Sequence, residues 1–196
     1  MSVFVAQPWW VNAVVLAPLL AYFAWRRSGV PLTAGQLIIS ALFAVSFGFR
    51  EATVVVYLRA ATGLLPGYHG TLSDVIRLSG EFYQQWQAIG DLPNNFLTLE
   101  LFREAATIVM LLSVALLSSA KPGSRVAIFL WTFAIWDIVY YASLWATVRW
   151  PHSLQDSDVL FLIPVPWFAP VWFPLLVSAL TLLTVLLTRV KPLAPN

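Results

Sequence analysis

The sequence has no cysteine and few charged residues, and both shortages narrow what the protein can be. Without cysteine the chain can form neither disulfides nor thiolate metal sites. Charged residues make up 10% of the 196 positions, whereas a soluble domain carries about 25%. That deficit leaves too little polar surface to face water on every side. The net charge is only +2, and the sequence has no basic patch, so nucleic acid is not expected as a partner.

Long apolar stretches take the place of the missing charge, since 60% of the residues are hydrophobic. A helix needs about 20 mostly apolar residues to cross a bilayer. The chain is therefore predicted to be all-α, a polytopic transmembrane helix bundle that forms one domain over residues 1–196. Its lipid-embedded spans are expected at residues 9–25, 33–62, 95–117, 126–148 and 168–188.

Two local patterns refine this prediction. Thr33 and Gln36 have the spacing of a capping box at the start of the second span. The apolar stretch 159–167 contains Pro164 and Pro166 and is too short to span, so it is expected to be interfacial or re-entrant. The first apolar stretch lacks the features of a cleaved signal peptide and is interpreted as a span.

The basic residues predict the orientation of the bundle, because cytoplasmic loops carry the excess of lysine and arginine. With five spans, the two sides of the membrane collect unequal sets: Arg26, Arg27, Lys121, Arg125, Arg189 and Lys191 on one side, and Arg59, Arg77 and Arg149 on the other. The larger set is expected in the cytoplasm. The N-terminus is therefore predicted outside and the C-terminus inside.

The one long loop, residues 63–94, falls outside in this topology. Apolar residues recur at helical spacing over 72–89, with Asp74, Arg77 and Glu81 on the opposite face. This pattern predicts an amphipathic helix on the outer membrane surface. Such a helix either only packs over the bundle or controls access to a site.

Charged residues inside the predicted spans mark the candidate site. They are Arg50, Glu51, Glu100, Arg103, Glu104 and Asp137. Because charge is costly in hydrocarbon, such side chains face the bundle interior and usually pair. At a rise of about 1.5 Å per residue, Glu51, Glu104 and Asp137 lie near the midplane of a core about 30 Å thick. Tyr140 or Tyr141 is expected to contribute a hydroxyl, and Glu100, nearer the outer end, is expected to connect the site to water.

The charge balance of this site leaves several interpretations open. Four carboxylates face two arginines, so one or two carboxyl groups hold a proton, or a cation binds, or Arg59 or Arg149 reaches in. Proton, cation or small-ligand binding or transport follows from the first two possibilities. Alternatively, the Arg–Glu pairs only clamp helices together, as in a non-catalytic subunit or assembly factor of a larger membrane complex, or in a homo-oligomer.

An intramembrane enzyme with a carboxylate-bound metal is a third possibility. The sequence has no Glu-x-x-His pair of the kind that di-metal bundles use. Its two histidines, His69 and His152, lie in predicted outer loops. Only a hard cation bound by oxygen ligands fits the residues within the spans, so the identity of any metal stays open.

Two of the predicted spans contain the same short sequence. The tetrapeptide Phe-Arg-Glu-Ala occurs at residues 49–52 and again at 102–105, on spans that run in opposite directions. An inverted repeat produces such a pattern, and chance produces it equally well in a chain rich in alanine and phenylalanine.

Two resemblances concern mainly the second half of the chain. Residues 150–154, 158–167 and 169–171, together with 103–107 and 136–141, resemble an uncharacterised family of bacterial multi-pass membrane proteins. That resemblance implies the inner membrane of a bacterium and no particular chemistry. Residues 167–172 are similar to the proline- and tryptophan-rich segment of tryptophan-rich sensory (translocator) proteins, although there the segment precedes the second span. This similarity implies a small hydrophobic ligand such as a porphyrin.

Overall fold

Helices dominate the computed structural model of the protein, which describes residues 5–61 and 94–190, with side chains for 5–57 and 97–190. The α-helices of this part are α1 (Leu16–Trp25), α2 (Ala34–Ala61), α3 (Asn94–Ser118), α4 (Pro122–Val148) and α5 (Trp172–Thr188). A 3-10 helix, Trp9–Val15, leads directly into α1. Its short strands are β1 (Val30–Pro31), β2 (Ser157–Phe161), β3 (Trp167–Pro170) and β4 (Arg189–Val190). The amphipathic helix predicted over 72–89 lies outside the described residues.

Three helices are long and apolar enough to cross a membrane: the segments Ala34–Tyr57, Leu97–Ser118 and Pro122–Val148. The apolar segments Trp9–Trp25 and Trp172–Thr188 are shorter. The first of these begins as a 3-10 helix, which rises about 2.0 Å per residue instead of 1.5 Å, so that it extends about 29 Å. That length is close to the thickness of a hydrocarbon core.

The predicted capping box sets the start of α2. The N–H of Gln36 donates to Thr33 Oγ1 over 3.1 Å, and the Thr33 N–H donates to Gln36 Oε1 over 2.9 Å. Gln36 also uses its side-chain amide to reach the Ser118 carbonyl at the end of α3, at 2.7 Å. The residue pair inferred from sequence thus caps one helix and ties it to another.

The loops at one end of the bundle are joined by backbone pairing. β1, which follows α1, pairs in parallel with β4 at the end of α5. Ser124, at the start of α4, donates its hydroxyl to the Pro31 carbonyl over 3.0 Å. This end of the bundle therefore contains five of the basic residues that the sequence predicts on one side of the membrane: Arg26, Arg27, Lys121, Arg125 and Arg189. The grouping is as predicted for these five, whereas Lys191 lies outside the described residues.

A glycine allows α2 and α4 to approach closely at mid-length. A Cβ atom at Gly48 would lie 2.7 Å from the Trp136 carbonyl oxygen and 3.1 Å from Val139 Cβ. Ala44, Phe47 and Trp136 are buried together beside this contact. The missing side chain at Gly48 therefore gives room to a neighbouring helix, and that helix is α4.

The segment between α4 and α5 departs from an all-α fold. β2 and β3 form an antiparallel hairpin with Asp158 opposite Ala169. The last helix consequently begins at Trp172 and not at residue 168. Periodicity does not distinguish a strand from a helix in the apolar stretch 159–167, because it is short and is interrupted by Pro164 and Pro166.

The hairpin enters the bundle beside α4. Asp158 contacts Tyr141, and Phe161 stacks on Phe133 at a ring distance of 6.1 Å. Those α4 residues are about 12 Å apart along the helix axis, so β2 runs antiparallel to α4 and its tip reaches the middle of the helix. Trp167, the last residue of the stretch predicted to be interfacial or re-entrant, begins β3 and contacts Phe161.

Candidate functional site

Arg103 on α3 binds two carboxylates from two helices. Its Nη1 pairs with Glu51 Oε2 on α2. Its Nε and Nη2 donate to Glu100 at 3.0 and 2.7 Å, one turn earlier on α3. Such forked contacts are the strongest geometry for an arginine–carboxylate pair. This group joins the middle of α2 to α3.

Glu100 therefore has a different role from the one expected. It is buried and engaged by Arg103, so in the described part of the chain it does not open the site to water. Glu51 is also buried, with a side chain 2% exposed. Two carboxylates and one guanidinium give this group a formal charge of −1.

Arg50 lies beside this group and points outward. Its Nη1 is 3.8 Å from Glu51 Oε1, and its side chain is 64% exposed. Its guanidinium also lies over the Phe47 ring at 6.0 Å. The predicted site residue is thus adjacent to the ion group but contributes only one long contact to it.

Glu104 forms a second, separate contact. Its two carboxylate oxygens accept the Leu162 backbone N–H at 2.8 and 3.0 Å. Leu162 follows β2 at the hairpin tip, and Ile163 contributes another backbone N–H interaction with the same carboxylate. Glu104 is itself buried, and it therefore satisfies backbone donors of the hairpin tip that need a partner.

Asp137 forms the third contact. It is buried, and Ser178 on α5 donates a hydrogen bond to its Oδ2 at 2.8 Å. Tyr141, one turn further along α4, donates to Asp158 of β2 at 2.7 Å. Asp158 is 2% exposed and lies close enough to Asp137 for the two carboxyl groups to interact electrostatically. Two acids, a phenol and a hydroxyl thus meet where α4, α5 and the hairpin converge.

The predicted residues are neighbours but do not share one set of partners. Glu51, Glu100 and Arg103 form the ion group, Glu104 binds the hairpin tip, and Asp137 binds α5. Tyr140 lies within electrostatic range of Arg103 and packs against Tyr141 at a ring distance of 5.2 Å. The expected tyrosine–carboxylate contact is made by Tyr141, although its partner is Asp158.

Comparisons with protein-family models, with curated proteins and with solved structures found no match. The two resemblances drawn from the sequence therefore stay predictions. A function for the protein is therefore inferred from the geometry of the site.

Two polar residues of the site were missed from sequence. Asp158 directly precedes the apolar stretch 159–167 and was not among the predicted site residues. Ser178 is an ordinary serine in an apolar helix, and serine commonly donates to its own helix backbone, as Ser113 does here. A carboxylate at the edge of an apolar run was a usable signal, whereas Ser178 carried none.

The part of the chain that the structure describes contains no set of side chains suited to bind a metal ion. There, no three histidine, aspartate or glutamate side chains are arranged to hold an ion.

Two buried indole N–H groups, of Trp136 and Trp167, have no hydrogen-bond partner among the described residues. Both indoles pack on Phe161, at ring distances of 6.4 and 5.5 Å.

Proposed function

We propose that the protein is a five-span membrane protein that binds and passes on protons at Asp137. Three helices long enough to span and two apolar helices packed with them support the five spans. The basic residues gathered at one end support a cytoplasmic C-terminus and an outside N-terminus. A bacterial inner membrane is the compartment that the sequence resemblance implies.

The observation that carries the proton proposal is the environment of Asp137. This carboxyl group is buried near the middle of α4, and its hydrogen-bond partner is the Ser178 hydroxyl. Within the described residues, the ion pairs join only Arg50 and Arg103 to Glu51 and Glu100, so none reaches Asp137. A buried carboxylate without a compensating charge is strongly unfavourable. A carboxyl group that holds a proton avoids this cost.

Two titratable groups near Asp137 are the proposed partners for transfer of that proton. Asp158 lies within electrostatic range of it, and the Tyr141 hydroxyl already donates to Asp158. Both carboxyl groups and the phenol can accept and release protons through hydrogen bonds. Carboxyl chains of this kind form proton relays in membrane transporters.

Infrared spectroscopy of the purified protein in lipid tests this proposal directly. Wild type should show the carbonyl stretch of protonated carboxyl groups, and Asp137→Asn should remove the part of this signal that Asp137 contributes. Glu100→Gln is the matched control, because Glu100 is ion-paired and should contribute no such band. Proton flux into liposomes should fall in Asp137→Asn and persist in Glu100→Gln. An unchanged band or unchanged flux in Asp137→Asn would contradict the proposal.

A structural role in a larger complex is the second candidate, and the ion group favours it. Glu51, Arg103 and Glu100 join α2 to α3 in the way that a helix clamp requires, and no transport step needs them. Purification from native membranes in mild detergent distinguishes the two functions. A partner at fixed stoichiometry, combined with absent proton flux from the isolated chain, would support the structural role.

A further inference from the structure

Arg50 occupies a position where a lone arginine is unfavourable. It is the seventeenth of 28 residues in α2, about 4 Å from the midpoint of the helix axis. It falls within the apolar segment Ala34–Tyr57, and yet its side chain is 64% exposed. Charged side chains within spans almost always face a bundle interior or a water-filled cavity.

The internal repeat offers a comparison within the same chain. Arg103 occupies the equivalent position of the second Phe-Arg-Glu-Ala sequence, is 23% exposed and binds two carboxylates. Besides its position over the Phe47 ring, Arg50 makes one ion-pair contact of 3.8 Å with Glu51, whose other oxygen binds Arg103. Close ionic hydrogen bonds measure about 2.7–2.9 Å. The Arg50 guanidinium therefore retains donors that face outward.

The surroundings of Arg50 form an outward-facing strip on α2. Ser46, Phe49 and Tyr57 are exposed on this side. The Ser46 hydroxyl donates to the Leu42 carbonyl of its own helix at 2.9 Å. The opposite side of α2 is occupied by α4 at Gly48. The strip combines apolar surface with one central positive charge.

We propose that this strip binds a transmembrane helix of a different protein, one that carries an aspartate or glutamate opposite Arg50. A carboxylate is the group that neutralises an arginine and matches its fork of donors. A lipid headgroup is disfavoured, because Arg50 lies near the middle of the helix. The inference requires that α2 spans the membrane, but it does not depend on proton binding at Asp137.

The acidic residues of the chain argue against a second copy as the occupant. Within the described residues, the membrane-depth carboxylates are all buried: Glu51, Glu100, Glu104, Asp137 and Asp158. None of them is available on the surface of a neighbouring copy. The partner helix must therefore bring its own carboxylate.

A zero-length cross-link tests the contact in native membranes. Arg50→Lys keeps the charge and supplies an amine, which a membrane-permeant carbodiimide joins to a carboxylate as an amide. We expect one adduct, in which mass spectrometry links the introduced lysine to an Asp or Glu within an apolar stretch of another protein. Wild type should not give this adduct, because arginine does not react. Ser113→Lys, at an exposed position on α3, should not give it either.

Every other product overturns the proposal. An adduct of twice the chain mass would identify a second copy, and a link within one chain would show that the protein covers Arg50 itself. No adduct from folded Arg50→Lys, verified by size-exclusion chromatography, would mean that no carboxylate lies opposite. If α2 were outside the membrane, the cysteine-labelling experiment described in the Discussion would fail independently, which separates the two kinds of failure.

Discussion

The Glu104 carboxylate on α3 accepts the backbone N–H of Leu162, 58 residues later in the chain. This contact holds the tip of a β-hairpin against the middle of a helix. Pro164 and Pro166 in the same tip have no N–H, so the hairpin presents few backbone donors that need a partner. Buried backbone N–H groups need a hydrogen-bond partner, and Glu104 provides one for Leu162.

Removal of this acceptor should loosen the hairpin. Glu104→Ala leaves buried N–H groups without a partner, and we expect a loss of about 1–3 kcal/mol in the free energy of unfolding. Glu104→Gln keeps one carbonyl oxygen as an acceptor and should lose less. Thermal unfolding in detergent measures the stability. Hydrogen exchange of residues 157–170 should accelerate more than exchange in α4, and equal acceleration in both would contradict this assignment.

Arg103 should be the most sensitive residue of the ion group. Arg103→Gln leaves Glu51 and Glu100 buried without a cation, and breaking a buried pair in this way costs about 3–5 kcal/mol. Glu51→Gln should cost less, because Arg103 retains Glu100. The free energy of unfolding of both variants, measured by denaturant titration, tests this order.

The double variant provides the control for that order. If Glu51 and Arg103 act on each other, the loss for Arg103→Gln with Glu51→Gln should be smaller than the sum of the two single losses. Strict additivity would show that the pair does not contribute to stability as a unit.

Helix positions could be predicted because their signals are local. Apolar length located the helices to within a few residues at most ends, and the Thr33–Gln36 spacing identified a cap that the structure contains. The presence of charged residues within α2, α3 and α4 was also evident from the sequence.

The partners of those charges could not be predicted in the same way. Glu100 and Glu104 are four residues apart and therefore lie on one face of α3, yet one binds Arg103 and the other binds a hairpin. That difference depends on where β2 lies, and its five residues carry no distinctive strand pattern. The Asp137–Ser178 contact likewise depends on the packing of α4 against α5, which no local signal encodes.

The absence of cysteine makes the topology directly testable. Ser28, after α1, and Ser153, after α4, are both exposed, and each can be replaced by the nearly isosteric cysteine. A membrane-impermeant maleimide should label Ser153→Cys in intact cells and Ser28→Cys only after permeabilisation. The unmodified chain is the blank. Equal labelling of both positions in intact cells would contradict the proposed orientation.

The contact at Gly48 yields the sharpest packing prediction, because the chain contains a matched control. Gly48→Ala places a methyl group 2.7 Å from the Trp136 carbonyl oxygen and 3.1 Å from Val139 Cβ. Because backbone lies on one side of the methyl group, α2 and α4 must separate. Overpacking of this kind costs about 1–3 kcal/mol.

Gly123, in the first turn of α4, is the control, since nothing lies within 4 Å of a Cβ atom there. Gly123→Ala should be neutral or stabilising by up to about 1 kcal/mol, because alanine loses less backbone entropy in a helix. Both variants make the same chemical change, so the difference between their melting temperatures isolates the helix contact.

Because α2 carries Glu51 one turn after Gly48, separation of the helices should also displace that carboxylate from Arg103. Gly48→Ala combined with Glu51→Gln should then be less destabilising than the two changes added, and a Gly48→Ala protein as stable as Gly123→Ala would show that α2 and α4 are not in close contact.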